Sequence, residues 1–275
     1  MKLLQAVREK YPQLSRKKAR ALLRAGKIRL NKRRAKISDR VRAADTVSIP
    51  REHLADHLTA NSALKISVLK ETAEFLFLRK PSGVHSVAQD FADTNSVANW
   101  LLSHDPGCAA LHPLECGLAH RLDYETSGVM VAAKTKTALA FLRRAFKERR
   151  VEKIYTCLVS GEPLARGVYR ASARPGAKSA KKVRLSPQAA GGPELITEVR
   201  SCRRAGKYYR LTLQLITGYR HQLRAQLALL ERPIAGDPLY GGAPAPRLML
   251  HARSLAFQHA GRACSAASPA RFPVR

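Results

Sequence analysis

The sequence predicts a mixed α+β fold in two parts: a small basic amino-terminal module, then a larger domain in which strands and helices alternate. Three observations carry that expectation. At 275 residues and 45% hydrophobic content, the chain is long enough to bury one sizeable core and a second, smaller one. Its charge is uneven, with 16 Lys and Arg against 3 Asp and Glu in residues 1–50. From Phe75-Leu76-Phe77-Leu78 onward, apolar runs and two-residue alternation interleave with helical spacing.

In the basic module, Ser15 reads as an N-cap and Gly26 as the residue that stops a helix. Between them Ala19, Leu22 and Leu23 form an apolar stripe, while Arg16, Lys17, Arg20 and Arg24 share another sector. Ile28 and Leu30 then alternate, Asn31 and the run Lys32-Arg33-Arg34 mark a turn, and Val47 and Ile49 alternate before Pro50, as in short strands. Residues 51–64 read as a linker. The pair His53 and His57 has no Cys or carboxylate constellation beside it, so it reads as structural rather than metal-binding.

Residues 65–260 read as the larger domain. Leu139, Leu142 and Phe146 have helical spacing, with Arg143, Arg144, Lys147 and Arg150 on the outer side. Ile154 to Val159 reads as a strand and Leu211-Leu213-Leu215 as another, ended by Thr217-Gly218. Gln222 to Leu230 reads as a helix with Leu223, Leu227 and Leu230 at core spacing, which places Arg220 and Arg224 four apart on one face. Residues 170–194 suggest a basic surface loop or loose hairpin, and 261–275 a poorly ordered tail.

With 50 Lys and Arg against 20 Asp and Glu, a net charge of +30, the chain is suited to a phosphate backbone. Its five cysteines are scattered with no C-x-x-C pair, which points to a reduced, cytoplasmic setting. The first residues are broken by charge too early for a signal segment, and no apolar run approaches the roughly 20 residues that span a bilayer. Walker, G-x-G-x-x-G, nucleophile-elbow, H-E-x-x-H and zinc-deaminase signatures are missing from the sequence, so no cofactor and no metal are expected. What remains are polar motifs at strand ends and helix starts: Arg79-Lys80-Pro81-Ser82-Gly83, His120-Arg121-Leu122-Asp123-Tyr124-Glu125-Thr126-Ser127-Gly128, Glu152-Lys153-Ile154-Tyr155, and Thr217 to Arg224.

These motifs, with Arg232-Pro233-Ile234-Ala235-Gly236-Asp237-Pro238-Leu239-Tyr240-Gly241 and Leu250-His251-Ala252-Arg253, resemble the RluA-type pseudouridine synthases over most of residues 70–258. Where relatives commonly carry Thr-Gly-Arg-Thr-His-Gln, this chain has Tyr219-Arg220 between Gly218 and His221. The amino-terminal module is similar to the alpha-L RNA-binding domain of a small-subunit ribosomal protein. The resemblance implies a catalytic domain with a mixed, largely antiparallel central sheet. It implies a single catalytic aspartate, Asp123, with Arg224 as its cationic partner and Tyr155 stacked on the target uracil. Arg121 would enter the space left by an extruded base, and Arg16, Lys17, Arg20, Arg24, Lys32, Arg33 and Arg34 would grip RNA. Ribosomal RNA is the expected substrate ahead of transfer RNA, acted on by a monomer with no obligatory protein partner and no membrane. The rival expectation is a non-catalytic RNA-binding or ribosome-assembly factor on the same fold, against which the joint presence of Asp123, Tyr155 and Arg224 argues.

Overall fold

A computed structural model describes residues 1–272 apart from 13, 15, 52, 53, 55, 56, 175–181 and 188–190. Ser15 and His53 lie outside the described residues, as does the side chain of Lys17.

The chain opens with helix α1 (Leu3–Lys10), which buries Leu3, Ala6 and Val7, an i, i+3, i+4 stripe. Helix α2 (Arg16–Arg24) buries Ala19, Leu22 and Leu23 beside it. It stops as the sequence predicts: Gly26 sits at φ +67° while the Lys27 amide bonds back to the Leu22 carbonyl and the Gly26 amide to that of Leu23. Three two-residue strands follow, β1 (Arg29–Leu30), β2 (Arg33–Arg34) and β3 (Val47–Ser48), in the order β2-β1-β3. The left-handed pair Asn31 and Lys32 makes the β1–β2 turn, so Arg33 and Arg34 belong to a strand rather than to the turn. These elements enclose their own core, which includes Ile28, Val41 and Ile49.

Strands β4 (Ser67–Glu71) and β5 (Phe75–Lys80) begin the larger sheet, followed by helix α3 (Val97–His104), a 3-10 turn at Pro106–Ala110, strand β6 (Ser127–Ala133) and helix α4 (Lys136–Lys147). Then come β7 (Glu152–Val159), β8 (Gly167–Ala173), β9 (Leu185–Ser186), β10 (Glu194–Ala205), β11 (Tyr208–Leu215), helix α5 (Gln222–Leu229), β12 (Leu250–His259) and β13 (Arg262–Ala267). The sheet runs β4-β5-β6-β12-β7-β11-β10-β8-β9, with β13 on β12. Every pairing in it is antiparallel except β6 with β12. The fold is therefore mixed α+β with a mostly antiparallel central sheet, as the sequence predicts.

Alternation along β5 and β6 divides two cores. Phe75, Phe77, Val129 and Val131 meet Leu139 and Leu142 of α4 on one face, while Leu76, Leu78 and Met130 meet Val97 and Leu101 of α3 on the other. Each such buried side chain contributes about 1.5–3 kcal/mol relative to exposure. The α4 helix leaves Arg143, Arg144 and Lys147 exposed on the outer side expected for them, and Arg150, just past its end, is exposed too.

Two further expectations are corrected. Residues 262–267 are not part of a poorly ordered tail: they form β13, because the second half of β12 swings away from β6 and offers a free edge. Arg220 and Arg224 do not share a helix face, because α5 begins only at Gln222, after His221 in the left-handed region. Residues 170–194 resolve in part into hairpin, with β8 paired to both β9 and β10.

Candidate active site

The turn at 120–126 is gripped from one side by the segment that leaves β5. Lys80, fully buried, donates through Nζ to the carbonyls of Pro81 (2.9 Å), Val84 (2.7 Å) and Tyr124 (3.1 Å). Burial pushes this amine down to about 7, with the Asp123 and Glu125 charges opposing; three carbonyls want three protons, which only the ammonium form supplies. The Gly83 amide also bonds to the Tyr124 carbonyl, and Ser82 Oγ to that of Glu125. Ser86 Oγ brackets Leu122, accepting from its amide at 2.9 Å and donating to its carbonyl at 2.8 Å. The turn closes with the Thr126 amide on the Asp123 carbonyl. Thr126 Oγ1 is buried with no hydrogen-bond partner among the described residues.

Held this way, the Asp123 side chain keeps a quarter of its exposure, 25%, and faces a cavity of about 1170 Å³. Tyr155 comes from β7, where it pairs with Leu213 and Ala252 on the flanking strands and is 7% exposed. Burial, and after it the nearby Asp123 charge, pushes the Tyr155 hydroxyl upward, so it stays protonated. Lys153, two residues earlier on the same strand face, also lines the cavity; burial and then Arg149 push it down to about 8.

Arg224 enters from α5, a helix buried on nearly all sides. Its neighbours fix the approach. Gln222 accepts from Thr217 Oγ1 and the Tyr219 amide while donating to the Ile196 carbonyl and Thr197 Oγ1, and Gln226 accepts from Thr197 Oγ1. The guanidinium, 3% exposed, makes a bidentate pair with Asp237, Nε to Oδ2 at 2.7 Å and Nη2 to Oδ1 at 2.9 Å. Its remaining corner, Nη1, lies 3.3 Å from Glu125 and 3.8 Å from Asp123. Burial opposes the Arg224 cation, the Asp237 carboxylate outweighs that, and the charge is held. For Asp123 burial pushes the carboxyl up, and the charges of His221, Arg224 and Lys80 pull against it.

The structure thus brings Asp123, Tyr155 and Arg224 to one cavity and leaves Arg121 exposed on its lining. In the amino-terminal module Arg16, Arg20, Arg24, Lys32, Arg33 and Arg34 are exposed. Arg33 is tied to Asp39 at 2.8 Å and Arg34 to the Ala25 carbonyl at 3.0 Å. Sequence reasoning missed Asp237 as the main partner of Arg224, together with Glu125 and the Lys80 clamp. Each stands inside a motif already singled out, yet pairing across loops leaves no periodic trace.

Among the described residues no group of three or more His, Cys, Asp or Glu gathers to hold a metal, and no helix is long and apolar enough to cross a membrane. All five cysteines are free.

Residues 74–229 match the family model described as RNA pseudouridylate synthase, and residues 1–47 match the S4 domain model. The chain is 29% identical over 265 residues to an uncharacterized RNA pseudouridine synthase of Synechocystis, covering 91% of this chain and 79% of that protein. It is 32% identical over 237 residues to ribosomal large subunit pseudouridine synthase D of Xanthomonas campestris, covering 86% of this chain and 70% of that one. In fold it is similar to human RNA pseudouridylate synthase domain containing 4, with a TM-score of 0.58 at 24% identity over 75% of this chain and 88% of that one.

Proposed function

The chain belongs to the RluA-type RNA pseudouridylate synthase family and is an RNA pseudouridine synthase, and on that premise we propose that Asp123 is its single catalytic carboxylate, served by Tyr155 and Arg224. Family membership sets aside the non-catalytic alternative. The reaction breaks the bond between N1 of uracil and the anomeric carbon and makes one from C5; the C5 proton leaves and N1 gains one, so the change is an isomerisation. One nucleophile and a closed pocket are enough. An ionised carboxylate serves attack on the anomeric carbon, attack on C6, and assistance to a glycal alike.

The observation that carries the reading is the chain of charge from Asp237 through Arg224 to Asp123, ending 3.8 Å from the proposed nucleophile. Burial pushes the Asp123 carboxyl up, and the charges of His221, Arg224 and Lys80 pull it back toward the ionised, nucleophilic form. Tyr155 is buried and protonated, which suits stacking on uracil better than acting as a phenolate base. Arg121, exposed beside Asp123, enters the duplex space that the extruded uridine leaves.

Residues 1–50 act as the RNA grip through Arg16, Lys17, Arg20, Arg24, Lys32, Arg33 and Arg34, residues 51–64 as linker, and the domain from residue 65 carries the chemistry. Ribosomal RNA is the substrate this reading favours over transfer RNA, because a relative at 32% identity is named for the large ribosomal subunit. On this reading the protein works as a monomer in the cytoplasm, where its five free thiols stay reduced.

The test is tritium release from unmodified [5-³H]uridine-labelled transcripts of large-subunit ribosomal RNA and, separately, of transfer RNA. Wild-type protein should release tritium from the ribosomal transcript, and Asp123→Asn should bind it without release. Wild-type turnover by Asp123→Asn would overturn the catalytic assignment, and release from the transfer RNA alone would overturn the substrate.

A further inference from the structure

We propose that Tyr124 and His85 form a stacking platform at the mouth of the cavity for an unpaired base of the RNA next to the target uridine. The inference rests on the reading of the cavity as a uridine site and adds a second base subsite to it.

Tyr124 follows Asp123 directly, yet it is 41% exposed and is the one aromatic among the exposed large apolar residues of the described chain. Two hydrogen bonds to its carbonyl, from Lys80 Nζ and the Gly83 amide, fix the backbone, while its hydroxyl has no hydrogen-bond partner among the described residues. The ring lies against His85 with centroids 4.6 Å apart and planes tilted by 44°. His85 is itself steadied by Gln89, whose side-chain nitrogen is 3.0 Å from Nε2. Tyr124, His85, Gln89 and Arg121 all line the cavity. A rigid main-chain anchor thus presents an open aromatic surface and a cation at the entrance through which a flipped nucleotide must pass.

The chemistry of that ligand follows. Extruding a uridine strips its neighbours of a stacking partner, at a cost of a few kcal/mol. A neighbouring base that swings onto Tyr124 recovers stacking on a ring whose face every base can use, and its phosphate falls within the basic surround. The platform is therefore selective for an unstacked base beside the target and indifferent to which base it is.

The experiment uses the full chain and a stem-loop RNA whose one loop uridine is flanked by 5-iodocytidine, which is not a substrate for isomerisation. Irradiation of the complex should give an adduct at Tyr124 or His85, read by mass spectrometry. On unmodified large-subunit ribosomal RNA transcript, Tyr124→Ala should raise KM about tenfold or more with kcat changed less than threefold. Tyr124→Phe and Tyr124→Trp should stay near wild type. The salt slope of binding should be the same in Tyr124→Ala as in wild type, because no phosphate contact is lost. The half-exposed side chain makes the alanine variant fold with an unchanged melting temperature. An active wild type with an unchanged KM in Tyr124→Ala, a Phe variant as impaired as Ala, or a bound RNA with no adduct at either residue overturns the platform alone. A wild type that crosslinks at Tyr124 yet makes no pseudouridine keeps the platform and overturns the function.

Discussion

Asp237→Asn should cost this protein both stability and turnover, although Asp237 is fully buried and touches the proposed nucleophile only through Arg224. One carboxylate oxygen, Oδ1, accepts from Arg224 Nη2 and from the amides of Leu239 and Tyr240 at 2.9, 3.0 and 3.2 Å. The other, Oδ2, accepts from Arg224 Nε at 2.7 Å. Asparagine can keep the first three bonds, but its amide nitrogen then faces Nε, donor against donor, and the guanidinium, 3% exposed, keeps only the more distant Glu125 and Asp123 charges at 3.3 and 3.8 Å. Breaking a buried pair from one side costs about 3–5 kcal/mol. At about 2–4 °C per kcal/mol for a chain of this size, the melting temperature should fall by about 6–20 °C. Urea denaturation gives the free energy, and single-turnover tritium release gives the rate. The freed guanidinium turns toward Glu125 or solvent, so kcat should fall while KM holds. The double variant Asp237→Leu, Arg224→Met should recover much of the stability and none of the activity, because an apolar pair replaces a buried ionic one without a stranded charge. Loss of less than 1 kcal/mol with unchanged kcat in Asp237→Asn would refute the clamp.

Arg224→Gln removes a unit charge 3.8 Å from Asp123. At an effective dielectric of about 20 that attraction is about 4 kcal/mol, so the acid limb of the pH–rate profile should move up by about one to three pH units; an unmoved limb would remove Arg224 from the charge chain. His251 bridges Ser127 Oγ and the Ser268 carbonyl, and burial pushes it down to about 4, below its ordinary 6.5. The folded chain holds it neutral, so its stabilisation is complete above pH 6.5 and is lost as pH falls toward 4, at up to about 1.4 kcal/mol per pH unit. Urea melts from pH 7 to 4 should show this slope, and His251→Gln should flatten it. Replacing exposed Arg16, Arg20 and Arg24 together by Gln should weaken RNA binding and lower its salt slope by about 1–3, as filter binding at several salt concentrations would show; an unchanged slope places the RNA elsewhere.

What the sequence made legible is what repeats or punctuates. Gly26 ends α2 because only the left-handed region lets the Lys27 amide reach back to Leu22, and a glycine there is a local signal. The alternation in β11 and the spacing in α4 follow from one face meeting a core, and the apolar run of β7 from burial on both faces, all of which sequence records directly. Helix α1 carries the same kind of signal, Leu3, Ala6 and Val7 at helical spacing, but in a stripe of a single turn hemmed in by Lys2, Arg8, Glu9 and Lys10. Strand β13 was not legible: Arg-Ala-Cys-Ser-Ala-Ala has little strand propensity of its own, and it forms because β12 leaves an edge open. In the site, Asp123, Tyr155 and Arg224 stand in recognisable motifs. The bond that aims Arg224 is made 13 residues away by a loop acid whose direction depends on the left-handed turn at Gly236, and no spacing rule reaches it.

The stretch 120–128 resolves a conflict between rigidity and access by assigning the two to different residues. His120 turns inward, accepting the Val131 amide at 3.0 Å and stacking on Phe146, while burial pushes it down to about 3 and keeps it neutral. Leu122 is buried under its Ser86 bracket, Ser127 bonds to His251, and Gly128 lies so close to β12 that a Cβ would meet the Ala252 carbonyl oxygen at 2.3 Å. Between these anchors Arg121, Asp123 and Tyr124 hold their places through the backbone and line the cavity with their side chains. The anchors and the working residues should therefore separate by assay. Gly128→Ala should lose stability through a clash with fixed backbone, whereas Arg121→Ala should leave melting unchanged and weaken RNA binding; an Arg121→Ala variant that melts early would mean that the guanidinium braces the turn, and the division of labour would fail.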